Sequence, residues 1–437
     1  MFHYYFLLGL RSLRRNPALT VLMVLTLAVG VAASVSTLTI LHVISGNPMP
    51  DKSERLFSIL VDNGPLEGYK VGDKPNDRQL SYRDAVNFLN SKVGQRRVAL
   101  YGVGGPVQPD KKEIGVFTAH GLAPSGDFFA MFDTPFLYGQ GWNADADRSG
   151  ADMVVLSRAL AEKLYGGANP VGRRMSLFGF QYQITGVLDT WRVVPRVHHV
   201  LSSGGPFGAE DEFYIPFASA IRHQTSHDGG MSCVTSVAPG YQAILDSECT
   251  WVQSWIEMRS DADRGELQNY VDNYADDQRK LGRLKRHAAN HLYTVTQWLD
   301  FLKVVGNDSR LQAWLAFGFL LLCLVNTVGL LLAKFSVRAA EVGIRRALGA
   351  SRREIFRQFL IETTVVGLAG GLFGLVMAYG ALALIGMQSA TLHVVAHMDL
   401  SMLALTFALS VLAAVLAGLL PTWRACQVTP ALQLKSQ

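Results

Sequence analysis

Four stretches of the chain carry almost no charge and a nearly unbroken apolar surface: residues 18–44, 311–333, 363–387 and 400–420. At about 1.5 Å per helical residue, each is long enough to cross a hydrocarbon layer about 30 Å thick. The chain between 46 and 309 has another texture, with short apolar runs cut by Gly, Pro and Ser. Alternation predicts strands at Arg55–Asp62, 114–119, Met153–Leu156, Gln181–Leu188, Trp251–Met258 and, last, His291–Trp298. Helical spacing behind a capping serine predicts helices from Ser81 to Leu89, after Ser125 (GDFFAMF) and after Ser157, the last ended by Gly166-Gly167. A further helix is expected over 262–283, and 196–250, rich in Gly, Ser and His, reads as a loop-bearing insertion. No internal repeat is visible.

Around the spans the pattern becomes more specific. Residues 1–15 (MFHYYFLLGLRSLRR) look like an amphipathic helix on the membrane face, and Asn16-Pro17 restarts the helix as cap and first turn. The third span carries Gly367, Gly370, Gly371, Gly374 and Ala378, a small-xxx-small pattern that lets a neighbouring helix approach closely. Before it stands Lys334–Glu362, the densest charge in the last third of the chain. In that run Val342, Ile344, Leu348, Ile355, Phe356, Phe359 and Leu360 recur at helical spacing. Gly349 can end one helix, and Ser351 with Glu354 makes an S-x-x-E box that starts the next. The prediction is a helix, a sharp elbow and a second helix entering the bilayer.

Charge sets the orientation. Lys334–Glu362 holds seven Lys/Arg against three Glu; Arg11, Arg14 and Arg15 precede the first span, and Arg424 and Lys435 follow the fourth. Four crossings put all of these on one side, which the positive-inside rule makes cytoplasmic. The segment 46–309 has 27 Lys/Arg and 31 Asp/Glu, so the formal net charge of +5 comes from the cytoplasmic edges and not from a nucleic-acid-binding patch. The expected division is therefore a face helix (1–17), a first span (18–45) and an outer domain (46–309). A second span (310–333), a cytoplasmic loop (334–362), a third span (363–387), an outer loop (388–399), a fourth span (400–421) and a tail (422–437) follow. The first apolar run is about twice the length of a cleavable signal core, which favours an uncleaved anchor. Cys233 and Cys249 face the oxidising side and can pair, whereas Cys323 and Cys426 read as plain small apolar residues.

Catalytic chemistry is missing from the sequence. There is no G-x-x-x-x-G-K-[ST], no G-x-S-x-G and no H-E-x-x-H. His198, His199, His223 and His227 lack the accompanying Cys or placed carboxylate of a metal site and are expected on surface loops, so no metal and no catalytic residue is assigned. The spans carry no intramembrane Asp, Glu or Lys for ion-coupled transport. Energy must then enter from outside the chain, and the basic elbow is its entry point.

Three stretches now invite a comparison. EVGIRRALGASRREIFRQFLIET (341–363), with its Gly-rich span, closely resembles the FtsX-like permease signature. GDFFAMFDTPFLYGQGW (126–142) and VVLSRALAEKLYGGANPVGRRMSLFGFQYQITGV (154–187) are similar to the MacB-type periplasmic core. The chain thus resembles the permease of a MacB-type ABC transporter, in a family that also holds FtsX-like and LolC/LolE-like proteins. The resemblance implies a membrane α-helical protein of four transmembrane helices, with a large α+β periplasmic domain inserted between the first and second. It implies a bacterial inner-membrane location with both termini cytoplasmic, and mechanotransmission: ATP-driven motion of a cytoplasmic ATPase subunit is passed to the periplasmic domain, driving export of a peptide, drug or lipid-like molecule. MacB itself carries an ATPase domain ahead of its first span, and this sequence does not, so ATP and Mg are expected on a separate partner chain and no cofactor here. A second permease, identical or a paralogue, is expected to pair through the first and second spans, with a MacA-like adaptor and a TolC-like channel as further partners. By matching positions, Glu341, Gly343, Arg345, Arg346, Gly349, Ala350, Ser351, Arg352 and Arg353 carry the ATPase contact. The family's G-R turn reads Gly139-Gln140-Gly141 here. Alternatives within the resemblance are an FtsX-like activator of a periplasmic cell-wall hydrolase and LolC/LolE-like lipoprotein release.

Overall fold

The computed structural model describes residues 17–73, 78–110, 113–202 and 204–387, with positions 404, 408, 411–412, 415–416, 418–419 and 421–423 beyond them. Its contacts divide the chain into two units, Gly46–Val304 and the segments before and after it. In chain order, α1 (Pro17–Ser45) leads to β1 (Leu56–Leu60), β2 (Leu80–Ser81), α2 (Tyr82–Leu89), β3 (Arg96–Gln108) and β4 (Phe117–Pro124). Next come α3 (Phe128–Met131), β5 (Phe136–Gly139), α4 (Ala144–Ser149), β6 (Met153–Leu156), α5 (Arg158–Tyr165), β7 (Arg174–Leu177) and β8 (Phe180–Leu188). The inserted unit closes with β9 (Phe213–Tyr214), α6 (Phe217–Arg222), α7 (Tyr241–Asp246), β10 (Thr250–Glu257), α8 (Arg264–Lys280), β11 (His291–Tyr293) and α9 (Val295–Phe301). The chain then returns as α10 (Asn307–Val337), α11 (Ala339–Ala347) and α12 (Arg352–Gly386).

The inserted unit is α+β. Its strands run in the order β11-β1-β10-β3-β4-β9-β6-β8-β5, and β7 joins β8 back to β3. Six strands (β3, β4, β9, β6, β8 and β7) therefore pair in a closed ring, continuous through β3 with the sheet that carries β10, β1 and β11. Both faces of the sheet are covered. Along β1, Phe57 and Ile59 join one apolar core while Leu56 and Leu60 join the other, as period-two alternation requires. Every residue of β10 is buried, including Glu257, whose carboxylate takes Arg96 at 2.6 Å and lies 3.6 Å from Arg55 and 3.9 Å from Lys52.

The capping reasoning holds at Ser81, which accepts from Asp84 N–H at 3.2 Å, and at Ser157, which accepts from Leu160 N–H at 3.2 Å. It fails at Ser125: that hydroxyl accepts from Ala99 N–H at 3.3 Å in β3, and α3 starts after Asp127 without a side-chain cap. The expected last strand, His291–Trp298, stops at Tyr293. Thr294 and Gln297 form a reciprocal capping box there, a T-x-x-Q signal that starts α9. The strand expected at 114–119 lies instead at Phe117–Pro124, and the helix expected over 262–283 spans Arg264–Lys280. β3 has no counterpart among the predicted strands, because Gly102, Gly104, Gly105 and Pro106 read as breakers. Two of those glycines make room for other side chains: a Cβ at Gly102 would stand 2.4 Å from His199 Nε2, and one at Gly105 2.3 Å from the Phe178 ring.

In the other unit, among the described residues, three helices are long and apolar enough to cross a membrane: Pro17–Ser45, Leu311–Val337 and Arg352–Gly386. The predicted face helix 1–15, the outer loop 388–399 and almost all of the tail fall outside the described residues, as does most of the predicted fourth span. Its described positions are helical, and Gly418 lies so close to Thr363 that a Cβ would come within 2.6 Å of its hydroxyl. α1 packs between the other two helices. Gly30 admits Cys323 of α10, and Gly370 and Gly374 of α12 admit Leu27 and Val31. Gly367 and Gly371 are buried on the same helix.

Candidate functional site

The candidate site is the turn from α10 through α11 into α12. α10 does not stop at Lys334 but runs on to Val337, so most of 334–362 is helix and the elbow itself is four residues long, 348–351. Three features hold it. Gly349 sits at φ 100°, a left-handed conformation that glycine adopts without a Cβ penalty, and its N–H reaches Arg346 C=O at 3.2 Å. Ser351 and Glu354 form the reciprocal box, with Ser351 N–H to Glu354 Oε2 at 3.0 Å and Glu354 N–H to Ser351 Oγ at 3.3 Å. Underneath, Val342 packs with Phe335, Ile355 and Phe359 in a small core that also takes Met23 from α1, and the Phe335 and Phe359 rings lie 4.4 Å apart.

Beneath that core is an ion cluster. Glu362 of α12, 2% exposed, meets Lys334 Nζ at 2.7 Å and is gripped by both carboxylate oxygens to Arg338 Nη1 at 3.1 and 3.0 Å. Lys334 is 0% exposed. A buried lysine and glutamate are tolerated only as partners, so the cluster ties the end of α10 to the start of α12. The sequence pattern treats these residues as ordinary loop charge; nothing in linear spacing couples positions 24 and 28 residues apart.

The surface opposite the anchor is open. Ile344 is 57% and Leu348 83% exposed, and they stand among exposed Arg345, Arg352 and Arg353. Arg345 bonds Glu341 one turn back and reaches Gln358 Oε1 at 3.0 Å across the elbow. Of the other expected contact residues, Gly349 and Ser351 are exposed, Glu341, Arg346 and Ala350 are half-buried, and Gly343 is buried. Gly343 thus lies on the anchored face. Leu348 and Ile344 entered the sequence argument only as helix periodicity, yet they are the apolar centre of the free face.

In the inserted unit Cys233 and Cys249 form a disulfide. The histidines depart from the surface-loop expectation. His198 and His199 are buried around Asp211, His199 Nδ1 at 2.7 Å and His198 Nε2 at 3.5 Å, with Arg196 Nη1 at 3.2 Å. The Gly-rich insertion hides them by folding back on β3. Burial pushes the His198 imidazole down to about 4, outweighing the pull of Asp211. Burial alone would raise Asp211, but His199, His198 and Arg196 together hold its carboxyl well below the usual range. His223 is half-buried on Asp152 at 2.7 Å. Among the described residues no three His, Cys, Asp or Glu side chains are grouped to hold a metal ion.

Comparison with known proteins bears on both units. Residues 20–274 match the MacB-like periplasmic core domain, and residues 313–430 match the FtsX-like permease C-terminal family. Pyoverdine export ATP-binding/permease protein PvdT of Pseudomonas entomophila is 25% identical over 316 residues, 71% of this chain and 42% of that protein. Macrolide export ATP-binding/permease protein MacB of Bdellovibrio bacteriovorus is 23% identical over 314 residues, again 71% of this chain and 42% of that protein. The chain therefore spans about two fifths of the length of these curated relatives, and the parts it matches are permease parts. The crystal structure of the periplasmic region of MacB from Actinobacillus actinomycetemcomitans covers 58% of this chain and 95% of its own, at 12% identity and a TM-score of 0.36. With the periplasmic core and the permease segment both matched in order, the chain belongs to the MacB-like, FtsX-like family of ABC transporter permeases, membrane proteins with a periplasmic domain.

Proposed function

We propose that this chain is the permease subunit of a mechanotransmission-type ABC exporter. It spans the membrane four times with both termini and the elbow in the cytoplasm, and 46–309 works in the periplasm. A cytoplasmic ATPase chain seats on the elbow. Its ATP-driven movement tilts α11, and the rigid joint to α10 and α12 carries the displacement to the outer domain. A second permease completes the assembly, and a MacA-like adaptor with a TolC-like channel takes the substrate, a peptide, drug or lipid-like molecule, onward.

The observation that carries this reading is the two-sidedness of α11. One side is welded to the bundle by Val342 and, a turn earlier, by Arg338 on Glu362. The other presents Ile344 and Leu348 to solvent amid arginines. An apolar centre with a charged rim is how protein interfaces are built, and a loop needed only for topology has no use for an exposed leucine at its apex. Arg345→Glu with Arg346→Glu, and separately Leu348→Glu, are expected to abolish co-purification of the ATPase while the permease still folds and inserts. An ATPase that stays bound to both variants would overturn the proposal.

A further inference from the structure

The inserted unit contains a cleft that plays no part in the coupling elbow. It has a volume of about 800 Å³ and opens between α2 and α6, with the turn after β4 and the start of α4 at one end. α2 lines it with Tyr82, Val86 and Leu89, one face of the helix, and α6 lines it with Phe217 and Ile221. Val86, Leu89 and Ile221 stay only half-buried, so the core leaves their apolar surface unfinished. A volume of this size suits a drug-sized molecule, for which pockets run from about 300 to 1,000 Å³.

The polar end of the cleft is marked by two acids. Asp127 and Asp147 both line it. Burial raises the Asp147 carboxyl, and the Asp127 charge adds to the rise, so the two acids feel each other. The hydrogen bonds they accept come from neutral groups: Gly126 N–H at 2.9 Å and the Trp142 indole N–H at 3.1 Å for Asp147, Arg97 backbone N–H at 3.0 Å for Asp127. The arginines along the lining direct their hydrogen bonds to other groups, although the Arg148 charge still pulls against the rise at Asp147. The Arg97 guanidinium donates to the carbonyls of Leu89, Val93 and Gly94; Arg148 pairs with Asp145; Arg222 pairs with Asp152 and the Gly150 carbonyl. What remains is a pair of carboxylates whose hydrogen bonds come from neutral groups, beside an indole at one end of an apolar slot.

We propose that this cleft binds an amphipathic organic cation, with its ammonium at Asp127 and Asp147 and its apolar body against Val86, Leu89, Phe217 and Ile221. A carboxylate or sulfonate would meet two acids at the same end, and a neutral oil would bury them without a counter-charge. The Trp142 ring adds an aromatic surface beside the cation. α2 packs on β10 and β3, and α6 on β3 and β4, so a ligand here lies over the strand that joins the open sheet to the closed ring.

The test uses two dyes with one fluorophore and opposite charge, dansylcadaverine and dansylglycine, titrated against the full-length chain in nanodiscs with empty nanodiscs subtracted. No ATPase is present, so failure here leaves the coupling proposal untouched. Dansylcadaverine is expected to saturate. Asp127→Asn, whose amide oxygen still accepts Arg97 N–H, is expected to weaken it about tenfold or more, the worth of a charge-assisted bond. Ile221→Trp, which fills the slot, is expected to abolish it, and a melting curve reports whether each variant folds. Equal binding of dansylglycine, absence of saturable dansylcadaverine binding, or an Asp127→Asn affinity within twofold of the parent overturns the proposal, whatever becomes of Ile221→Trp.

Discussion

Glu362→Gln is the substitution that most directly tests how the elbow is held. It keeps the side chain's size and one acceptor but removes the charge that Lys334 and Arg338 share. Lys334 has no exposed surface, so its ammonium loses its anion without gaining water. Removing one partner of a buried ion pair costs about 3–5 kcal/mol, far more than the 0–1 kcal/mol of an exposed pair. Lys334→Met is milder, because Glu362 then keeps its two bonds from Arg338. The double variant is expected to be more stable than the sum of the singles predicts, by about 0.5–3 kcal/mol, since the second change removes the stranded charge. Equilibrium unfolding in mixed detergent micelles measures all four corners of the cycle. If Glu362→Gln falls within about 0.5 kcal/mol of the parent, the range of an indifferent surface change, or if the two costs simply add, the cluster does not clamp α10 to α12.

Other consequences are checked the same way. Gly374→Ala puts a Cβ 2.9 Å from Val31 Cγ1 and 3.1 Å from the Ala28 carbonyl, one of them backbone, and is expected to destabilise the helical unit by about 1–3 kcal/mol, read by thermal unfolding. Gly349→Val forces a β-branched residue to φ 100° and is expected to cost about 1–3 kcal/mol locally, visible as faster amide exchange over 345–352 with α1 unchanged. Reducing Cys233–Cys249, or replacing both by alanine, opens a loop of 16-residue separation and is expected to lower the stability of the inserted unit by about 3 kcal/mol in a denaturant titration. Acid acts on the histidine cluster. His198 titrates at about 4 in the fold against an unfolded value of 6.5, so the unfolded chain binds the proton first and stability falls as pH drops from 6.5 towards 4, by roughly 1.4 kcal/mol per unit at most. Asp211, held below its unfolded value, removes more once pH falls below about 4. His198→Phe is expected to flatten the upper part of that slope, and an unchanged slope would refute the assignment.

Much of this protein is legible in its sequence because the signals are local. A helix that crosses lipid must be long and nearly free of charge, so such helices announce themselves in one dimension. An N-cap bond closes within three residues, which is why Ser81, Ser157 and Ser351 start helices where their spacing says. Ser125 shows the limit: its hydroxyl accepts instead from a strand residue 26 positions earlier in the chain.

The sequence alone pointed to long apolar helices, to a large α+β body set among them, and to a basic, capped elbow joining two of them. The tertiary structure alone decided that glycines strung along β3 are contact points and not breaks, that His198 and His199 are interior, and that Lys334 and Glu362 are a pair. The physical reason is the same in each case. Burial, desolvation and close approach are properties of positions brought together from far along the chain, and a pattern read residue by residue carries only the preferences of neighbours.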